Sequence, residues 1–151
     1  MKTIVFVCHG NICRSVAAEY IAKKIVKEKG LEAQFYIFSR ATSREEIGND
    51  IYPPMKRELK MRGIPFESHS AQQITQRDYD YADYVFYMDA RNYANLMRSM
   101  SDTKNIMRPI TYFEKDISEI EDPWYTDNFD KVCDELTQCI THIIDKLYLI
   151  K

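Results

Sequence analysis

The stretch TIVFV, Thr3 to Val7, is apolar or β-branched at every position, and it ends at Cys8. A run this short and this uniformly apolar suits a strand buried on both faces, as in a sheet covered by helices on each side. After the short turn HGNIC a helical stripe begins: Arg14 to Lys29 is apolar at Val16, Ala17, Tyr20, Ile21 and Ile25, carries lysines between, and meets Gly30. Strand, tight turn and helix therefore follow one another almost without spacer, which is the opening of an alternating α/β chain.

The alternation continues. Gln34–Ser39 (QFYIFS) reads as a second strand, and the segment from Pro53 and Pro54 to Gly63 as a helix with proline at its start and glycine past its end. Tyr84–Met88 (YVFYM) is a third strand, Ala90–Ser99 a helix, and Ile106–Met107 a weak fourth strand stopped by Pro109. Thr111–Asp127 has no period and collects Glu114, Asp116, Glu119, Glu121, Asp122 and Asp127; loops this long are commonly functional. From Asn128 to Leu149 a stripe of Phe129, Val132, Cys133, Leu136, Ile140, Ile143, Ile144 and Leu147 predicts the clearest helix of the chain. The expected fold is α/β: a four-stranded parallel sheet with helices on both faces, one three-layer domain over residues 1–151. Ligands of such folds sit beyond the carboxyl ends of the strands, where the turn after Cys8 lies.

Composition narrows the function. With 45% hydrophobic and 29% charged residues the 151-residue chain is globular, and a formal net charge of −2 does not suit a nucleic-acid binder. No apolar run reaches the length of a membrane span, so a cytoplasmic protein with no membrane and no nucleic-acid partner is expected. There Cys8, Cys13, Cys133 and Cys139 would be thiols, and their spacing fits no common metal site. Cys133 and Cys139 read as packing residues of the last helix.

The turn itself carries chemistry. Five residues separate Cys8 from Arg14, enough for a loop to curl into a ring whose amides, with the helix N-terminus, cradle an oxyanion. Gly10 permits a tight turn, and Asn11 tolerates left-handed backbone. Arg14 offers a planar fork for two oxygens. Cys8 beneath such a cradle is favoured as a thiolate and aligned to attack phosphorus, with Ser15 in place to donate to the sulfur. A cysteine closing a strand is, taken alone, more often a core residue; the ordered set of strand, Cys, Gly, Asn, Arg, Ser and helix is what points to phosphoryl chemistry.

CHGNICRS (Cys8–Ser15) closely resembles the phosphate-binding loop of the low-molecular-weight protein tyrosine phosphatases. SRATSREEIGN (Ser39–Asn49), GIPFESHSAQQIT (Gly63–Thr75), DYVFYMD (Asp83–Asp89) and EDPWY (Glu121–Tyr125) resemble that family's later blocks in the same order. The resemblance implies a phosphotyrosine phosphatase working through a phosphocysteine on Cys8, with Arg14 as phosphate clamp and Asp122 as general acid and then base. It implies that His9, Gly10, Asn11, Ile12, Cys13, Ser15 and His69 form or support the loop, Asn11 as its strained residue and His69 bonding it. Ile12, Trp124 and Tyr125 would wall the pocket, with Glu45 where many members carry an aromatic residue. Cys13 would form a reversible disulfide with Cys8. No cofactor and no metal are implied; the partners would be phosphotyrosine-containing proteins, and the state a monomer or weak homodimer. Three rivals weigh less. A thioredoxin-coupled arsenate reductase needs cysteines in mid-chain, and none lies between Cys13 and Cys133. A protein arginine phosphatase has threonine where this chain has Ile12. A non-catalytic phosphate-binding module would be expected to lose Cys8 or Asp122.

Overall fold

The computed structural model describes residues 1–150. Four strands, β1 (Lys2–Cys8), β2 (Phe35–Ala41), β3 (Tyr84–Tyr87) and β4 (Met107–Pro109), form one parallel sheet in the order β2-β1-β3-β4. The alternation of side chains along β1 separates two apolar layers. Ile4, Phe6 and Cys8 join the larger core with Phe86 of β3, while Val5 and Val7 face a smaller one with Val85. Helices α1 (Arg14–Glu28), α2 (Pro53–Met61) and α6 (Phe129–Tyr148) supply the larger layer. Helices α3 (Gln76–Tyr81) and α4 (Ala90–Ser99) supply the smaller through Tyr79 and Leu96. The four-stranded parallel sheet with helices on both faces is the α/β fold expected from the alternation.

Three local differences have physical causes. Pro109 belongs to β4 instead of stopping it: β4 is an edge strand, so the missing N–H breaks no ladder. Helix α3 escapes hydrophobic periodicity because only Tyr79 is buried; its signal is the capping box in which Thr75 Oγ1 accepts from the Asp78 amide and Asp78 accepts from the Thr75 amide. The acidic segment is irregular only as far as Asp122, where the short helix α5 (Pro123–Thr126) begins. None of its four residues repeats an apolar period.

The strand order reverses at β1, and the loops after β1 and β3 therefore open side by side at the carboxyl edge. Arg14 begins α1, and the Asp89 side chain caps α4 through the Asn92 amide. All four cysteines are free thiols, and Cys133 and Cys139 are fully buried, with burial pushing each thiol up to about 12. Among the described residues no helix is long and apolar enough to cross a membrane.

The packing of α6 on the larger layer is the test of this architecture. Leu136 is fully buried in it. Leu136→Ala should destabilise the domain by about 2–5 kcal/mol, read as a lower urea midpoint with an unchanged slope.

Candidate active site

The loop after β1 is held from outside by its carbonyls. The amide of Thr42 donates to the Cys8 carbonyl (2.9 Å), and Ser43 donates to that of His9 through both its amide (3.1 Å) and its hydroxyl (2.9 Å). His69 Nε2 bonds the Asn11 carbonyl at 2.6 Å, and the Tyr52 amide bonds that of Ile12 at 2.9 Å. In a trans peptide the N–H that follows lies opposite its carbonyl. Turning these carbonyls outward turns the amides of His9, Gly10, Ile12 and Cys13 inward. The result is a ring of inward-facing amides closed by the start of α1, an arrangement that can cradle an oxyanion.

Asn11 makes this turn possible. It adopts φ 60°, the left-handed region that asparagine tolerates. It is fully buried, and its side-chain amide donates to Ser15 Oγ (2.8 Å) and Ser39 Oγ (3.0 Å). Ser39 in turn donates to the buried Glu19 carboxylate at 2.6 Å, which Lys23 caps from the solvent side at 2.6 Å. Gly10 plays a different part from the one its residue type suggests. Its φ is not positive; a Cβ there would stand 3.1 Å from Cγ of Glu46. Glycine here gives room for the Glu46 side chain of the 41–49 loop, which a Cβ would push back by a few tenths of an ångström, and does not serve a positive φ.

Cys8 Sγ lies 3.1 Å from Ser15 Oγ and 3.4 Å from the Ser15 amide. Arg14 is buried to 2% exposure and is fixed by Asp89 (2.7 Å) and the Ile120 carbonyl (2.8 Å), with Asp122 Oδ2 3.5 Å from its other terminal nitrogen. Burial works against its charge, but Cys8, Asp89 and Asp122 outweigh this and hold the guanidinium above its ordinary value. Cys13 is buried beside Cys8. Desolvation first, and the Cys8 charge second, push its thiol well up.

Asp122 is extended before Pro123 (φ −85°, ψ 110°), and its Oδ1 accepts from the Trp124 amide at 3.0 Å. Its neighbour Glu121 ties the segment to α6 through Lys131 (2.5 Å) and the Asn128 side-chain amide (3.0 Å). The Lys131 bond, then those from Thr126 and Asn128, hold the Glu121 carboxyl down at about 2. Trp124 packs on Tyr52 with ring centroids 4.7 Å apart, and Tyr52 on Phe129 at 6.1 Å.

A cavity of about 140 Å³ gathers Cys8, His9, Gly10, Ile12, Cys13, Arg14, Glu45, Glu46, Asp122, Trp124 and Tyr125. Every sequence-identified residue of the site lines it except Asn11, Ser15 and His69, which support the loop from behind. Glu45 does stand in the wall, but it reaches back to His9 Nε2 at 2.8 Å. Among the described residues no cluster of His, Cys, Asp or Glu could hold a metal ion.

Residue-type reasoning missed Asp89, Tyr52, Ser39 and Glu19. Asp89 had a signal: an Asp at the carboxyl end of a strand, three residues before Asn92, at the point where strand order reverses. Asp89 is the nearer of the two carboxylates on the guanidinium, and its loss would leave a buried cation with only the Ile120 carbonyl and the more distant Asp122. Asp89→Ala should weaken inhibition by inorganic phosphate or vanadate and lower kcat/KM by roughly 10- to 100-fold, since an ionic hydrogen bond of this kind is worth about 1.5–3 kcal/mol. Asp89→Asn, which keeps one acceptor, should lose less.

The same arrangement is found in known proteins. A family model described as low molecular weight phosphotyrosine protein phosphatase matches residues 3–148. The Bacillus subtilis low molecular weight protein-tyrosine-phosphatase YfkJ is 38% identical over 136 residues, covering 88% of this chain and 87% of that protein. The human low molecular weight phosphotyrosine protein phosphatase is 35% identical over 156 residues, covering 97% and 96%. The crystal structure of YfkJ superposes with a TM-score of 0.93 at 30% identity over 98% of this chain and 95% of that one. A protein tyrosine phosphatase from Entamoeba histolytica, with Hepes in its active site, gives 0.90 at 30% identity over 98% and 97%. Sequence match along nearly the whole chain, sheet order and loop together place the protein: it belongs to the low molecular weight phosphotyrosine protein phosphatase family.

Proposed function

We propose that the chain hydrolyses protein phosphotyrosine in two in-line steps at Cys8. The observation that carries this reading is the convergence of Cys8, the inward amides, Arg14 and Asp122 on one cavity. In the first step the Cys8 thiolate attacks phosphorus, and the P–O bond to the tyrosine breaks. Asp122 gives its proton to the departing phenolate oxygen. In the second step Asp122 takes a proton from water, the water oxygen attacks the phosphocysteine, and inorganic phosphate leaves as the thiolate is restored. The amides and Arg14 hold the equatorial oxygens in both steps, so their stabilisation is available where charge develops. Ser15 donates to the sulfur whenever it is anionic.

Phosphotyrosine is preferred for reasons of depth and wall. Cys8 lies at the floor, 3% exposed, while Trp124 is 51% and Tyr125 77% exposed at the rim. A phenyl ring bridges that depth, and a phosphoserine side chain is too short to do so. Ile12 is itself buried at 8% exposure and lines the cavity, giving an aliphatic surface opposite the aromatic pair. The same isoleucine separates this reading from phosphoarginine hydrolysis, because it has no hydroxyl to assist attack on a phosphoramidate. Ile12→Thr should shift relative kcat/KM toward phosphoarginine; a wild type that favours phosphoarginine would overturn the assignment.

Two variants test the chemistry. Cys8→Ser should bind vanadate-like anions and lose turnover. Asp122→Asn should slow poor leaving groups by roughly 10²–10⁴-fold and activated aryl esters less. Equal losses on both would argue against proton donation.

Cys13 adds redox control to the same reading. Peroxide should convert the Cys8 thiolate to the sulfenic acid, and Cys13 should displace water from it to give a disulfide that added thiol reduces. In Cys13→Ser, recovery of activity after peroxide should fall. Unchanged recovery would leave Cys13 as packing alone.

A further inference from the structure

A second groove, about 510 Å³, opens from the mouth of the catalytic cavity and runs along α4. His9, Glu45 and Tyr125 belong to both spaces, and Arg91, Asn95 and Arg98 line the far one only. The two arginines stand seven positions apart on α4, on one face of the helix and about 10 Å apart along its axis. Arg91 is in the first turn, beside the Asp89 that fixes Arg14; Arg98 is two turns farther out. Both are exposed, and among the described residues neither guanidinium is paired with a carboxylate. The acids of the groove are already committed: Asp89 and Asp122 face Arg14, and Glu45 faces His9. The formal charges of the lining balance, Arg14, Arg91 and Arg98 against Glu45, Asp89 and Asp122, but the acids are turned to Arg14 and His9, so the guanidiniums along α4 are the charges left to meet a ligand.

We infer that this groove binds acidic side chains of the phosphotyrosine polypeptide, on one side of the phosphorylated residue. The inference rests on the phosphatase reading of the adjoining cavity. An extended chain leaving the cavity advances about 3.3 Å per residue, so roughly three residues span the distance between the two arginines. Two Asp or Glu residues two or four positions apart, on the same side of the extended chain, can then meet Arg91 and Arg98 in turn, each as a planar fork on a carboxylate. Because α4 leaves the cavity in one direction, the groove reads acids either before or after the phosphotyrosine, and not both. The Glu46 wall, which lines the cavity away from α4, leaves the opposite flank without such a cation.

The experiment compares kcat/KM on matched phosphotyrosine peptides with Glu pairs before the phosphotyrosine, Glu pairs after it, or Ala throughout. Each peptide is assayed with the full-length protein at low and at high salt. The wild type should favour one Glu peptide over the Ala peptide by roughly 3- to 10-fold at low salt, the size expected of two partly exposed ion pairs, and the ratio should approach one as salt screens them. Arg91→Gln/Arg98→Gln should bring the ratio to about one, and Arg91→Glu/Arg98→Glu should invert it in favour of a matched Lys peptide. Because the readout is a ratio between peptides, general damage to the enzyme leaves it unmoved. Hydrolysis of all peptides at equal rates by the wild type, or a preference that survives both double variants, would overturn the groove assignment while leaving phosphotyrosine hydrolysis intact. Failure of the wild type to hydrolyse any of the peptides would overturn the phosphatase reading and the groove with it.

Discussion

The site depends on one residue held in an uncommon conformation. Asn11 in the left-handed region reverses the loop after β1, and every polar atom it presents outside the cradle is occupied: the carbonyl by His69, Oδ1 by the Gln72 amide at 3.3 Å, and both side-chain protons by Ser15 and Ser39. A non-glycine residue there carries backbone strain, usually of order 1–3 kcal/mol and milder for asparagine. Four hydrogen bonds, two of them fully buried and each worth about 1 kcal/mol, outweigh it. The loop is thus determined by its surroundings. Donors held in place by the protein's own hydrogen bonds are the condition for electrostatic stabilisation without reorganisation.

The surroundings exist because of the sheet order. β1 lies between β2 and β3, so its carboxyl end has the loop after β2 on one side and that after β3 on the other. The first supplies Thr42, Ser43 and Glu46 to the outside of the cradle; the second supplies Asp89 to Arg14. The acidic segment completes the ring from above, with the Ile120 carbonyl on Arg14 and the amide of Ile120 on the Met88 carbonyl at 3.0 Å. Four chain segments far apart in sequence meet within one cavity, and Arg14 is the group that touches two of them. Removing its charge or its partners would loosen the joint as well as the clamp.

How much of this was legible in the sequence follows from where each signal resides. Strands and long helices announce themselves through burial periodicity, and β1, β3, α1 and α6 were readable for that reason. Helices α3 and α5 bury one residue each and have no period to read. Within the site, residues whose chemistry is local could be identified from their neighbours: Cys8, Asn11, Arg14 and Ser15 share one loop. Asp122 and His69 came only with the family resemblance. Asp89 and Ser39 act from other strands' ends and Glu19 from the next turn of α1, 75, 25 and 5 residues away from Arg14, and spacing alone does not bring them together. Gly10 shows the same limit in reverse. Its residue type suggested backbone freedom, whereas the constraint is the Glu46 side chain lying against it.

The long-range contacts also fix something the sequence cannot express, the direction of the hydroxyl protons beneath the sulfur. The Glu19 carboxylate can only accept, so Ser39 must donate to it. With its proton spent, Ser39 Oγ accepts from Asn11, whose two amide protons are then divided between Ser39 and Ser15. Ser15 Oγ accepts from Asn11 and stands 3.1 Å from Cys8 Sγ, within reach to accept from the thiol or to donate to a thiolate. A hydroxyl that could rotate would spend part of its time offering the sulfur a lone pair, which repels a thiolate. The buried acid at the start of this chain, 8% exposed and neutralised outward by Lys23, fills one of the two lone pairs of Ser15 Oγ through Ser39 and Asn11 and so narrows that alternative. Polarity set by a carboxylate on the second turn of α1 is thereby carried through Ser39 and Asn11 to Ser15, the hydroxyl proposed to donate to Cys8 once its sulfur is anionic.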